Sequence, residues 1–283
     1  MPYYLIAESE LPDERAARRA RAGKSSGETY AATLAQMVPD ATIAIIAPAD
    51  DYARTYSPDE LRAFDAVFLT GSPMHVYEQT PEVDRLLTFM RAVFASRVPS
   101  FGSCAGLQIA VAAAGGRVRK MRQRMEAGVA RRITATEAGR AHPLLAGRPS
   151  AWDAAAIHGD EVDELPPGSI LLASNAVTPV QAAEITFDGG TFWGVQYHPE
   201  LSLEEIASAL RSQAADLVSA GLADEEADVS EHAALLDGLH ADPDDRPIRW
   251  ALGVDDELAK EANRRREITN FLAYPFEARG ERR

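Results

Sequence analysis

Residues 98–108, Val98-Pro-Ser-Phe-Gly-Ser-Cys-Ala-Gly-Leu-Gln108, restrict the fold of this chain more than any other stretch. They read as a short apolar strand that breaks at Gly102 and turns straight into a helix beginning near Leu107. Cys104, the only cysteine among 283 residues, stands at the break, with Gly102 and Gly106 two positions to either side. G-x-C-x-G is the cysteine form of the nucleophile elbow, a cramped strand-to-helix turn that carries a reactive side chain. The glycines answer to backbone angles and close contacts that a Cβ would obstruct. A thiol there projects above a sheet, the helix N-terminus favours its thiolate, and the Ala105 N–H is left to bind a developing oxyanion. The competing reading is a buried structural cysteine; the paired glycines and the residues near 198 weigh against it.

A thiol nucleophile needs a base, and the base needs a group that orients it. Both occur in Trp193-Gly-Val-Gln-Tyr-His-Pro-Glu200. His198 falls at a strand end, where the functional groups of parallel α/β sheets gather. Glu200 is two residues on, so in an extended segment the two side chains point the same way. Pro199 fixes its own φ and biases His198 toward an extended conformation. The carboxylate can then hold one ring nitrogen while the other faces the thiol.

The remaining pattern predicts an α/β fold with a mostly parallel central sheet and flanking helices. Buried strands are expected at 3–7, 42–47, 66–70 and 98–101, the third ended by Gly71-Ser72-Pro73. Residues 8–27 read as a polar, arginine-rich stretch and 28–37 as a helix. Pro81 opens another helix, with Val83, Leu86, Leu87, Met90 and Val93 at helical spacing. Continuous apolar strands alternating with helices imply a sheet covered on both faces. After residue 128 the strands at 129–134, 170–173, 181–187 and 191–197 are joined by loops, with Asp188-Gly-Gly190 as a hairpin signal. This marks an added antiparallel portion, closed by a helix over 203–219. Residues 221–283 read as an acidic helical C-terminal appendage packing on a main domain of residues 1–220. An exposed helix is expected around 232–239. A final helix is capped by Asp255 or Asp256, with Leu258, Ala262, Ile268, Phe271 and Leu272 on one side.

Composition narrows the partners. A formal net charge of -14 argues against nucleic-acid binding, which needs a basic surface. The basic run of Arg117, Arg119, Lys120, Arg122, Arg124, Arg131 and Arg132 reads as a solvated loop and edge strand. A single cysteine excludes an internal disulfide framework and fits a reducing compartment. The amino-terminal apolar run is too short and wrongly flanked for a signal peptide, and no run is long enough to span a bilayer. The expected location is the cytoplasm, with no membrane partner. There is no His/Cys pair at ligand spacing, so no metal site and no cofactor are expected. His75 and His142 read as surface loop histidines.

Gly102-Ser-Cys-Ala-Gly-Leu-Gln108 followed by Gly194-Val-Gln-Tyr-His-Pro-Glu200 resembles the class I, triad-type glutamine amidotransferases. Gly71-Ser-Pro73 resembles that family's oxyanion loop, and the motif order agrees. The resemblance covers roughly residues 40–215 and implies a flavodoxin-like fold. It implies a γ-glutamyl thioester on Cys104, with His198 as base and then acid and Glu200 orienting it. Gly71 and Ala105 would supply the oxyanion-hole N–H groups. Gln108 aligns with a family glutamine beside the substrate, and Ile157-His-Gly-Asp160 is similar to the S-H-G-D segment of guanylate-synthase-type members, which makes His158 a binding candidate. Two departures stand out: Ala105 replaces a bulkier residue and Leu107 a common histidine. The first should spare catalysis and enlarge the pocket.

The chain carries no S-G-G-x-D-S phosphate loop and no Walker motif. The first expectation is therefore a glutaminase that hydrolyses the glutamine side-chain amide and supplies ammonia to a separate synthase subunit. The alternative is an independent γ-glutamyl hydrolase or peptidase acting on a small γ-glutamyl amide. A non-catalytic relative and a DJ-1/PfpI-like elbow fold rank below both, because the Cys, His and Glu are all present and the latter group lacks the strand-end H-P-E.

Overall fold

The computed structural model describes residues 1–122 and 125–276. Its strands are β1 (Tyr3–Ala7), β2 (Thr42–Ile46), β3 (Ala66–Leu69), β4 (Ser100–Ser103), β5 (Arg117–Lys120), β6 (Glu126–Ala135), β7 (Ala151–His158), β8 (Asp160–Glu164), β9 (Ile170–Ser174), β10 (Ala182–Phe187) and β11 (Gly190–Val195). The helices are α1 (Pro12–Ala22), α2 (Ser26–Met37), α3 (Pro58–Leu61), α4 (Pro81–Ser96), α5 (Ala105–Ala113), α6 (Glu137–Ala141), α7 (Leu203–Ser212), α8 (Ala214–Ser219), α9 (Glu226–Ala241), α10 (Arg246–Leu252), α11 (Asp256–Ala259), α12 (Glu261–Arg264) and α13 (Arg266–Ala273).

The main sheet runs β2-β1-β3-β4-β11-β10-β9-β6-β7. The first five strands are mutually parallel, and β10, β9, β6 and β7 continue antiparallel. Strand alternation sorts the apolar residues onto two faces. Leu5, Val67, Leu69 and Phe192 pack with Leu86, Met90 and Val93 of α4 and Leu107 and Val111 of α5. Tyr4, Ile6, Phe68, Phe101 and Trp193 pack with Tyr30 and Leu34 of α2 and Ile268 and Phe271 of α13. Both faces are covered, as continuous apolar strands require. At the hairpin between β10 and β11, Asp188 and Gly189 have φ of 48° and 78°, the pair of left-handed residues that a two-residue turn needs.

Several elements differ from the sequence reading. The polar stretch 8–27 contains α1, a helix with no buried residue. It is held instead by ion pairs, Arg15 to Glu8 and Asp50 and Arg18 to Glu10 and Glu205. Of the basic run, Arg117, Arg119 and Lys120 lie on β5, the expected edge strand, while Arg131 and Arg132 lie on β6. Strand β5 is not simply solvated: it pairs antiparallel with the acidic β8, so Arg117 and Arg119 are matched by Asp163, Glu164 and Glu161. Arg124 lies outside the described residues. The helix over 203–219 breaks at Gln213.

Helix α9 is not simply exposed: Val229, Ala233, Leu236 and Leu239 pack against Leu203, Ile206, Ala207 and Leu210 of α7. The last helix is three short ones. Asp255 does cap α11, accepting from the Glu257 N–H, but the break at Lys260 turns Ala262 outward. His142 is largely buried, bonded to Glu184 and edge-on to Trp193. No helix among the described residues is long and apolar enough to cross a membrane.

Candidate active site

The elbow forms where β4 meets α5. Cys104 has φ 51° and ψ -113°, a left-handed conformation that costs a non-glycine residue about 1–3 kcal/mol. The surroundings hold it there: its N–H donates to the Val195 carbonyl at 2.9 Å, and its carbonyl accepts from the Gln108 N–H. The flanking glycines serve close approach, not positive φ. A Cβ on Gly106 would stand 2.6 Å from the Leu69 carbonyl oxygen, and one on Gly102 3.0 Å from the same atom. The turn is thereby pressed against the end of β3. As the first residue of α5, Ala105 carries an N–H the helix does not use internally.

Parallel pairing of β11 with β4, Val195 opposite Ser103, brings the following segment to the same sheet edge. His198 is anchored by its N–H donating to the Ala155 carbonyl of β7 at 2.8 Å. Its Nδ1 lies 2.8 Å from Glu200 Oε1. Nε2 has no hydrogen-bond partner among the described residues. The three side chains are buried, with Cys104 6%, His198 7% and Glu200 4% exposed. Burial opposes charge on the imidazole, but the Glu200 and Cys104 charges outweigh it and raise its pKa to about 10. The charged imidazolium is the state that these neighbours favour.

Gly71 closes the group. A Cβ there would stand 2.9 Å from His198 Cε1 and 3.5 Å from Cys104 Cβ. The elbow, the strand-end histidine and the loop after β3 therefore converge on one spot. On the far side, the Cys104 thiol faces the Ile157 carbonyl at 4.0 Å.

Gln108 and His158 both hold the corner at Gly159 where β7 passes into β8, the 157–160 loop. Gln108 Nε2 donates to the Asp160 carbonyl and to Gln196 Oε1, each at 3.2 Å. His158 has both ring nitrogens engaged, Nδ1 with the Asp160 carbonyl at 2.9 Å and Nε2 with Glu126 Oε2 at 3.2 Å. Glu126 is itself held by Asn175, Thr178 and Gln181. Burial raises its pKa, yet hydrogen bonding and charge from His158, with the other donors, keep it lowered. His158 is thus a buried strut of the loop.

Three further residues contribute: His75, expected at the surface and half-exposed there, and Tyr77 and Ser103, to which the sequence reading gave no role. His75 Nδ1 lies 2.6 Å from Asp160 Oδ2, and the Tyr77 hydroxyl donates to Oδ1 at 3.2 Å. These contacts tie the loop after Gly71 to the 157–160 loop. Ser103 donates to Glu200 Oε1 at 2.9 Å and meets the Tyr30 hydroxyl at 3.3 Å. Its place directly before Cys104 was the only available signal. Among the described residues no group of three or more His, Cys, Asp or Glu is placed to hold a metal ion.

Comparison with known proteins adds to this geometry. Residues 26–215 match the family model described as glutamine amidotransferase class-I. A γ-glutamyl-L-1-hydroxyisopropylamide hydrolase from a Pseudomonas species is 37% identical over 233 residues, 81% of this chain and 78% of that protein. A glutamine-hydrolysing GMP synthase from Leifsonia xyli is 36% identical over 145 residues, 51% of this chain but only 27% of the synthase. A solved glutamine amidotransferase from Thermotoga maritima superposes with a TM-score of 0.65 at 13% identity, covering 97% of this chain and 100% of that one, a likeness of fold.

Proposed function

The chain belongs to the class-I glutamine amidotransferase family, and on that premise we propose that it hydrolyses a small γ-glutamyl amide through a thioester on Cys104. The observation that carries the proposal is the convergence of Cys104, His198 and Gly71 on one point. His198 Nε2 holds the proton given up by the thiol, and sulfur attacks the γ-carbonyl carbon. The resulting oxyanion is met by the backbone N–H groups of Gly71 and Ala105. The imidazolium then protonates the departing amine, leaving a γ-glutamyl thioester. Water, deprotonated by His198, attacks the thioester carbon, and glutamate and the thiol are released. Glu200 holds Nδ1 throughout, so that Nε2 faces sulfur. Gln108 and His158 act by fixing the wall over the thiol.

The similarity to the Pseudomonas hydrolase, which extends over most of both chains, supports an enzyme acting alone on an N-substituted amide. Ala105, where the resembled family carries a bulkier residue, agrees with such a substituent. A second reading is a glutaminase that passes ammonia to a separate synthase. It is favoured by the match to the GMP synthase, of which this chain spans about a quarter. Assay of the purified protein against N-alkyl γ-glutamyl amides and against glutamine separates the two. Robust turnover of the former supports the first reading, whereas slow turnover of glutamine alone supports the second.

Cys104→Ala is expected to abolish turnover of every substrate, and Glu200→Gln to weaken it less. A glutamine-mimicking electrophile should add its mass to the peptide containing Cys104. Retained activity in Cys104→Ala, or labelling elsewhere, overturns the thioester mechanism.

A further inference from the structure

The Cys104–His198–Glu200 group accounts for only one of the two hydrogen bonds that reach Glu200 Oε1. The other comes from the Ser103 hydroxyl at 2.9 Å, and Glu200 Oε2 has no partner among the described residues. A carboxylate can only accept, so the single Ser103 proton is spent on Oε1. Ser103 must then accept at its contact with Tyr30, 3.3 Å away, and Tyr30 is the donor. The order of donation is fixed: Tyr30 O–H to Ser103, Ser103 O–H to Glu200, and His198 Nδ1–H to the same oxygen.

Every group in this chain is buried, with Tyr30 and Ser103 0% exposed. Helix α2 supplies a second hold one turn further on, where the Thr33 hydroxyl donates to the Glu200 carbonyl at 3.1 Å. The terminal torsion of a glutamate is broad and roughly twofold, so one bond from Nδ1 would not select one oxygen or one orientation. A second donor on Oε1 does.

We propose that Ser103, backed by Tyr30, is a positioning residue that fixes Glu200 Oε1 against His198 and so aims Nε2 at the Cys104 thiol. The proposal rests on the thiol chemistry argued above, but not on the identity of the substrate.

The test is a double-mutant cycle between Ser103→Ala and Glu200→Gln, read by kcat and KM on a γ-glutamyl amide and by the rate of Cys104 alkylation with iodoacetamide. Ser103→Ala is expected to lower kcat about tenfold or more, the size of one hydrogen bond to a charged group, with KM changed less than about twofold. In the Glu200→Gln background the same substitution should cause no further loss, because residues acting through one another are not additive. Tyr30→Phe, which keeps the Ser103 hydroxyl, should lose less than Ser103→Ala. An equal loss in both backgrounds, or an unchanged kcat in Ser103→Ala, overturns the proposal. Alkylation reads the thiol and imidazole without any substrate. If the wild type turns over no γ-glutamyl amide, slower alkylation in Ser103→Ala but not in the Glu200→Gln background upholds the positioning role while the substrate reading fails. Unchanged alkylation overturns the positioning role as well.

Discussion

Gly71 and His198 touch across the site, since a Cβ on Gly71 would stand 2.9 Å from His198 Cε1. No positive φ accompanies this position, so alanine would be unstrained in its backbone and its effect would come from contact alone. Gly71→Ala should push the imidazole off the thiol. Misplacing a reacting group by about 1 Å costs on the order of a hundredfold, and kcat/KM is expected to fall by about that much. Circular dichroism and thermal melting should change little, which separates a displaced ring from an unfolded chain.

The pH dependence follows from the direction of the His198 shift. Burial lowers its pKa, but Glu200 and then Cys104 raise it more, from 6.5 to about 10. A group whose pKa rises on folding adds stability that is fully present below its unfolded pKa and is lost as pH climbs through the folded value. Unfolding measurements should therefore show this contribution intact near pH 6 and draining away toward pH 10. The basic limb of the kcat/KM profile, which reports the free enzyme, should lie near pH 10, where the imidazolium proposed to protonate the amine disappears. Glu200→Gln removes the leading favourable charge and should move that limb to lower pH.

Legibility in the sequence tracked how local the determining forces are. Strands β1, β3 and β4 and the elbow were plain because these strands are buried almost throughout, whereas β2, also expected to be buried, is the edge strand and its residues are half-buried or exposed. The motif spacing pointed to Cys104, His198 and Glu200 as one group. Helix α1 was not legible, because its partners Asp50 and Glu205 lie far along the chain and no apolar stripe marks it. Strand β5 was legible as an edge strand, but its partner was not, because its charges are matched only by Glu161 and Asp163 of β8. The likeness to the S-H-G-D segment that marks His158 as a binding candidate does not show its contact with Glu126 on the paired strand. Ser103 and Tyr30 meet only after α2 folds across the sheet.

Arg148 carries a prediction about the C-terminal helices. Its guanidinium donates in a fork to both oxygens of Glu267 at 2.7 Å and to Glu257 at 2.6 Å. Both partners in the fork are buried, with side chains 2% and 0% exposed. Removing one side of a buried pair strands the other charge and typically costs about 3–5 kcal/mol. Arg148→Leu should lower the urea-unfolding free energy by about that much. Arg148→Leu with Glu267→Leu should recover most of it, since Glu257, the remaining partner, keeps its ion pair with Arg266 and no charge is then left alone. A loss of similar size is expected for Phe271→Ala, whose ring packs 5.5 Å from Phe68 and Phe101 and 5.9 Å from Trp193, as large-to-small changes at buried aromatics cost about 3–5 kcal/mol.

Asp160 joins the two loops that border the thiol, its carboxylate taking His75 and Tyr77 and its carbonyl taking Gln108 and His158. Substitution to alanine leaves the carbonyl bonds in place and removes only those to the loop after Gly71. That loop would then lose two side-chain anchors, one of them charge-assisted, worth about 1.5–3 kcal/mol. With Gly71 less firmly placed, the N–H proposed to meet the oxyanion would have to be ordered as substrate binds, so kcat and KM should worsen together. We expect Asp160→Ala to lower kcat/KM about tenfold to a hundredfold and to open the segment 72–78 to limited proteolysis. Tyr77→Phe, which keeps the His75 contact, should lose less. An unchanged cleavage pattern alongside full activity would mean that the loop is held by its backbone and by buried Val76, with Asp160 contributing little.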